Sequence, residues 1–213
     1  MKDFSSLLCL TSDDQNISHA EQVRILIEEG ARFIQLRSKV LSSKNILAQI
    51  DKVSEDIRKY DVTLIINDHL NVANESIANG VHLGIKDQSV TLARKSLAKG
   101  SVIGSTVHNF EEALAVKELN LCDYVGLGPF RVSKTKFNLA PLLSMELIRQ
   151  IIDILSPIPV FLIGGITLSD CDLIEDLNLG GLAVCAGLSS SNQFACNVKS
   201  FINQIPIRNL VQI

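Results

Sequence analysis

The chain has 213 residues, 46% of them hydrophobic, 20% charged and only 5 of them proline, a composition that fits a packed globular protein and excludes a mainly disordered one. Its 20 basic and 23 acidic residues leave a formal net charge of −3 with no basic block, which argues against a nucleic-acid partner. No stretch reaches the roughly 18 consecutive apolar residues of a membrane helix, and the apolar run near the N-terminus is too short for a signal peptide, so a soluble, unprocessed protein is expected.

Along the chain, short β-branched or apolar runs alternate with longer segments of helical period. Strands are predicted at Leu7 to Thr11, Phe33 to Arg37, Thr63 to Asp68, Gly80 to Gly84, Val102 to Thr106, Tyr124 to Gly128, Val160 to Gly164 and Gly181 to Cys185. Between them, HAEQVRILIEEG, NILAQIDKVSEDIRKY, NFEEALAVKELN and SMELIRQIIDIL space apolar residues three and four apart, the pattern of helices with one buried face. Gly30, Gly100 and Gly180 each precede a strand, where a positive φ ends a helix at little cost.

This alternation implies an α/β fold with a parallel sheet. Eight near-equal units in this length favour closure into a (β/α)8 TIM barrel over an open doubly wound sheet, with residues 1–213 forming a single domain. Cysteines at 9, 122, 171, 185 and 196 are odd in number and include no Cys-x-x-Cys pair. Neither a zinc site nor a disulfide framework is indicated, the cysteines read as small core residues, and a reducing cytoplasm is the expected compartment.

In a barrel of this kind the active site lies at the C-terminal ends of the strands and in the loops that follow. Polar residues collect there. Asp68 and Asp87 follow neighbouring strands whose ends would lie about 5 Å apart, so two carboxylates could share one cation. Magnesium suits such a pair, because it takes one or two protein carboxylates and fills its other positions with water and substrate phosphates. Taken alone, each aspartate reads more readily as a helix cap or turn residue.

Gln35, Arg37 and Lys39 alternate, which on a strand projects an amide, a guanidinium and an ammonium to one side, a reader of anions and polar edges; in isolation the same three fit a solvated strand end. The segment from Gly126 to Asn138 carries hydroxyls and cations, and there Ser133 and Thr135 can donate to phosphate oxygens beside the charge of Lys136. In IGGITLSD the glycine pair would let a phosphate approach backbone N–H groups, although such a pair also serves turn geometry. His82 reads as a hydrogen-bonded packing residue, and neither it nor His108 has a nucleophile placed beside it in the sequence.

Taken in order, IQLRSK (34 to 39), IINDHLNVA (65 to 73), GVHLGIKD (80 to 87), IGSTVHNFEEA (103 to 113), DYVGLGPFRVSKTK (123 to 136), IGGI (163 to 166) and GLAV (181 to 184) resemble the successive motifs of the thiamine phosphate synthase family. The resemblance runs from about residue 7 to about residue 190. It implies a transferase that joins an aminopyrimidine diphosphate to a thiazole phosphate with Mg2+ as cofactor. Its partners would be those small molecules, with homo-oligomerisation left open.

It further implies that Gln35, Leu36, Arg37, Ser38, Lys39, Asn67, Thr106 and Lys136 hold the pyrimidine diphosphate, and that Asp68 and Asp87 bind the metal. Ser133, Lys134, Thr135, Gly165, Cys185 and Ala186 would meet the thiazole phosphate, with Arg37, Lys39 and Lys136 as the catalytic groups. Three departures stand out. Ser133 replaces the usual threonine, Thr106 the usual serine, and Cys185-Ala186 the usual Val-Ser, so a side-chain hydroxyl is missing at the last turn. Rival readings are a thiazole tautomerase of the same fold using His108 as base, and a non-catalytic protein that binds the same precursors.

Overall fold

The structure, a computed structural model, describes residues 4–131, 142–189 and 193–205. Eight parallel strands close into a barrel in chain order: β1 (Leu7–Leu10), β2 (Phe33–Leu36), β3 (Thr63–Asn67), β4 (Gly80–Leu83), β5 (Val102–Val107), β6 (Tyr124–Leu127), β7 (Val160–Ile163) and β8 (Gly181–Val184). The last strand pairs with the first, Leu182 opposite Leu7 and Val184 opposite Cys9. The (β/α)8 barrel expected from the alternation is therefore the fold.

Each strand starts where predicted, and all but β5 leave the ladder one residue before the predicted end. Those last residues turn out of the sheet and start the loops that carry polar side chains.

Alternation sorts each strand's side chains into two cores, because successive residues point to opposite faces. Leu8, Leu10, Phe33, Ile65, Val102, Tyr124, Phe161 and Ala183 form a cluster inside the barrel. Their neighbours Leu7, Cys9, Ile34, Leu36, Leu64 and Ile66 pack outward into the larger core shared with the helices. Inside, Phe4 stacks on Phe33 with ring centroids 4.8 Å apart, while Tyr124 meets Phe33 and Phe161 edge-on at 5.3 and 5.6 Å. This aromatic plug fills the lower barrel, and truncating one such ring to alanine costs about 3–5 kcal/mol.

Several helices begin at serine or asparagine caps. Ser18, Ser42, Ser89, Asn109 and Ser144 each accept a hydrogen bond from the backbone N–H three residues on, satisfying one orphan donor of the first turn. The long helical pattern from Asn45 to Tyr60 is divided into helices Ser43–Asp51 and Ser54–Lys59. The break falls at Lys52 and Val53, and Val53 turns its side chain into the outer core.

Gly30 ends a helix at φ 104°, as expected, whereas Gly100, at φ 93°, lies in a separate turn after a helix that has already ended at Ser96. Before β8 the left-handed residue is instead Asn178, at φ 50°. Gly180 serves packing, since a Cβ there would lie 2.7 Å from Pro159 Cβ. Among the described residues no helix is long and apolar enough to cross a membrane.

Candidate active site

A cavity of about 280 Å³ opens at the C-terminal ends of the strands, where this fold places its chemistry. Its floor is made by what the strands omit. A Cβ at Gly104 would stand 2.2 Å from Tyr124 Cζ and 2.5 Å from His82 Nδ1, so glycine on β5 lets those two rings meet beneath the cavity. His82 Nδ1 lies 3.0 Å from the Tyr124 hydroxyl and its Nε2 lies 2.9 Å from Thr106 Oγ1, while Tyr124 also bonds the Gln35 side chain. Burial pushes the Tyr124 phenol above its ordinary pKa, so it stays protonated and able to donate. His82 is thus the hydrogen-bonded packing residue its sequence context suggested, and it joins Gln35 and Thr106 across the floor.

One wall rises from β2, β3 and β4. Gln35, Arg37 and Lys39 line the cavity, as their alternation required, although Arg37 and Lys39 lie beyond the end of β2. Leu36 and Ser38 face elsewhere: Leu36 packs in the outer core and the Ser38 hydroxyl donates to Asp13. Asn67 is 7% exposed, and its Nδ2 finds no hydrogen-bond partner among the described residues. A buried donor without a partner costs about 1–3 kcal/mol, which a ligand acceptor in the cavity would relieve.

Asp68 follows directly, at φ 64°, a left-handed conformation uncommon outside glycine. Its carboxylate pairs with the Lys39 ammonium and shares a hydrogen bond with Asp87. The Gly84 N–H donates to Asp87 Oδ2 at 2.7 Å, and a Cβ at residue 84 would sit 2.9 Å from that oxygen.

Burial disfavours the charge on both carboxyls. At Asp68 the hydrogen bond from Asp87 and the Lys39 ammonium outweigh burial and hold the carboxyl below its ordinary range. At Asp87 burial and the bond to Asp68 prevail over the Gly84 N–H and raise it. Two carboxyls close enough to share a proton form the donor set that a divalent cation takes in the proton's place. Among the described residues no group of three or more His, Cys, Asp or Glu is placed to hold a metal, so such an ion would complete its shell with water and ligand oxygens.

The opposite wall, from β6 to β8, lines the cavity with little charge among the described residues. Gly164 and Gly165 turn the chain after β7 at φ 106° and 62°, and a Cβ at Gly164 would meet Pro129 Cα at 2.9 Å. Gly165, Cys185 and Ala186 all line the cavity. Ser133, Lys134, Thr135 and Lys136 lie outside the described residues.

Just before that segment, the Arg131 guanidinium grips the Asp170 carboxylate through two bonds of 2.6 and 2.7 Å and reaches the Gly165 carbonyl at 3.3 Å. Burial alone would raise Asp170, but Arg131 and the Thr167 N–H and hydroxyl hold it below its ordinary range. His108 also lines the cavity, with Nδ1 3.2 Å from Glu112 Oε2.

Several of these residues escape sequence reasoning. Tyr124, Asp13 and the Arg131–Asp170 pair act through contacts between segments far apart in the chain, and the Asp in IGGITLSD is the only local hint. No disulfide joins any of the five cysteines; burial pushes Cys9 up to about 12 and Cys122 and Cys171 up to about 11, so none of those three is an activated nucleophile.

A closed parallel barrel with a charged and polar cavity at its C-terminal mouth defines the class, a (β/α)8-barrel enzyme. The family model described as thiamine monophosphate synthase matches residues 7–188, and the chain belongs to that family. A thiamine-phosphate synthase of Flavobacterium psychrophilum is 36% identical over 173 residues, 79% of this chain and 84% of that one. Another, from Bacteroides fragilis strain YCH46, is 32% identical over 202 residues, covering 93% and 98% of the two chains. A solved thiamine phosphate pyrophosphorylase from Pyrococcus furiosus superimposes with a TM-score of 0.81 at 25% identity, over 93% of this chain and 94% of that one. As a member of this family the chain is a transferase.

Proposed function

We propose that the chain joins an aminopyrimidine bearing a diphosphate on its exocyclic methylene to a thiazole phosphate, releasing diphosphate and forming thiamine phosphate. The observation that carries this reading is the charged wall: Asp68 and Asp87 in contact, the Lys39 ammonium against Asp68, and beside them the Asn67 Nδ2, which has no partner among the described residues. Gln35, Asn67 and Thr106 would orient the pyrimidine from the floor, with Gln35 and Thr106 held by Tyr124 and His82. Arg37 and Lys39, with Lys136, would take the diphosphate.

Asp68 and Asp87 would hold Mg2+, whose chemistry is to neutralise charge on the phosphate oxygens of the leaving group. In the reaction the methylene C–O bond breaks, with its electron pair leaving on diphosphate. The thiazole nitrogen lone pair then forms the new C–N bond. That nitrogen carries no proton, so no general base is required, and the residues that matter are those that stabilise leaving-group charge. Thiazole phosphate would rest against the Gly165 turn and Cys185-Ala186, with Ser133, Lys134 and Thr135 completing its side. Five cysteines with no disulfide between them fit a reducing cytoplasm as the place of action.

A second reading, thiazole tautomerisation with His108 as base, is favoured by the Glu112 carboxylate beside that ring. The test is to incubate purified protein with magnesium, the pyrimidine diphosphate and thiazole phosphate. Equimolar thiamine phosphate and diphosphate are expected, and no product while both ligands bind contradicts the reading.

A further inference from the structure

Behind the charged wall, outside the cavity, a set of buried and half-buried polar groups meets the backbone of residues 37–39. Asp13, in the loop after β1, receives the Ser38 hydroxyl on Oδ1 at 2.5 Å and the Lys39 N–H on Oδ2 at 2.7 Å. His19, 5% exposed at the start of helix His19–Glu28, places Nε2 3.0 Å from the same Oδ1 and Nδ1 2.8 Å from Thr11 Oγ1. Thr11 is fully buried, and its Oγ1 accepts the Arg37 N–H at 2.9 Å. The ladder continues below, where the Thr11 N–H donates to the Gln35 carbonyl at 3.0 Å.

The Arg37 N–H donates to the Thr11 oxygen, the Ser38 hydroxyl and Lys39 N–H donate to Asp13, and one His19 ring nitrogen stands against each of Thr11 and Asp13. The Thr11 hydroxyl has both His19 Nδ1 and, at 3.5 Å, the Arg37 carbonyl within reach. Burial opposes the charge on Asp13, but the Lys39 N–H, the Ser38 hydroxyl and His19 outweigh it and hold the carboxyl below its ordinary range. None of Thr11, Asp13 and His19 lines the cavity, whereas Arg37 and Lys39 do. The backbone N–H groups of 37 and 39 are thus tied on the side away from the cavity, which leaves both cationic side chains directed into it.

We infer that Asp13, acting with His19 and Thr11, is a positioning residue for Arg37 and Lys39, and so for the diphosphate end of the pyrimidine substrate. The inference rests on the proposed function only in naming that substrate. It gives Asp13 no contact with substrate, so its loss should appear as misplacement of the two cations, selective for one ligand.

The test compares the full-length protein with Asp13→Asn, His19→Ala, His19→Gln and Thr11→Val, with each substrate varied in turn. Calorimetric titrations of inorganic diphosphate with magnesium, and of thiazole phosphate, run alongside. Asp13→Asn is expected to raise KM for the pyrimidine diphosphate and weaken inorganic diphosphate about tenfold, while KM for thiazole phosphate stays within about twofold. His19→Ala should give the same selective loss at smaller size. His19→Gln, which keeps a donor towards Asp13, should recover most of it.

If Asp13→Asn does not fold, Thr11→Val and the His19 pair decide by the same ratio. Equal loss for both ligands, or no change in diphosphate binding in folded variants, overturns the inference. Wild-type protein that makes no thiamine phosphate would sink the proposed function alone, because the diphosphate titrations still read the positioning role.

Discussion

The two walls of the cavity are built by different means. The wall from β2 to β4 presents charged and amide side chains, and its residues 37–39 are bonded from behind by Asp13 and Thr11. Among its described residues the wall from β6 to β8 presents a glycine turn, Cys185 and Ala186, with the Arg131–Asp170 ion pair bracing the turn. Charge on the first wall suits a leaving diphosphate and its cation, where stabilisation has to grow as the bond breaks. Backbone on the second suits a phosphate that is carried through the reaction unchanged. One wall would therefore govern turnover and the other affinity.

The largest break in that contrast should come from Asp87→Asn, which removes one of the paired carboxylates. Activity is expected to fall about 100-fold and the magnesium needed for half-maximal rate to rise, with thiazole phosphate binding nearly unchanged. Magnesium titration of the steady-state rate, with calorimetry of thiazole phosphate, reads both. Equal loss of the two functions would remove the division between the walls.

Gly165→Ala probes the other side. A Cβ at φ 62° costs about 1–2 kcal/mol and displaces the turn, so KM for thiazole phosphate should rise about tenfold while the magnesium requirement stays as it was. A shift in the magnesium requirement would show that the walls are not separate.

Arg131→Ala sharpens the contrast through stability. The folded Asp170 carboxyl lies below its ordinary range, so the stability it contributes is fully present above that range and is lost as pH falls through its folded value. The variant should be about 1 kcal/mol less stable at pH 7, a value reduced because the guanidinium is 46% exposed. The deficit should shrink as pH falls below the ordinary carboxylate range. Denaturant melts at several pH values measure it, and a deficit that grows in acid would contradict the assignment.

Much of this architecture is written locally. Strand starts such as Phe33, Gly80 and Tyr124 are legible because apolar runs are bounded by glycine and polar residues, and the order of motifs shows which polar groups share the mouth. The faces are less legible. A strand in a closed parallel barrel is buried on both sides, so Leu36 and Gln35 look equally internal until the polar one is asked for a partner.

The break at Val53 and the left-handed Asn178 depend on how helices seat on the sheet, which a helical period does not record. Asp13, Tyr124 and Asp170 become visible only when loops from distant parts of the chain meet, because a single carboxylate or phenol has no spacing to read. The carboxylate pair sits between these cases: Asp68 and Asp87 are legible as neighbours, but their contact with each other and with Lys39 appears only in three dimensions.

The most direct test of the central claim, substitution driven by leaving-group stabilisation with no protein base, is the rate of thiamine phosphate formation in His108→Ala beside Asp87→Asn under saturating magnesium. The account expects His108→Ala to stay within about threefold of wild type while Asp87→Asn loses about 100-fold. The reverse, loss in His108→Ala with Asp87→Asn near wild type, would contradict it.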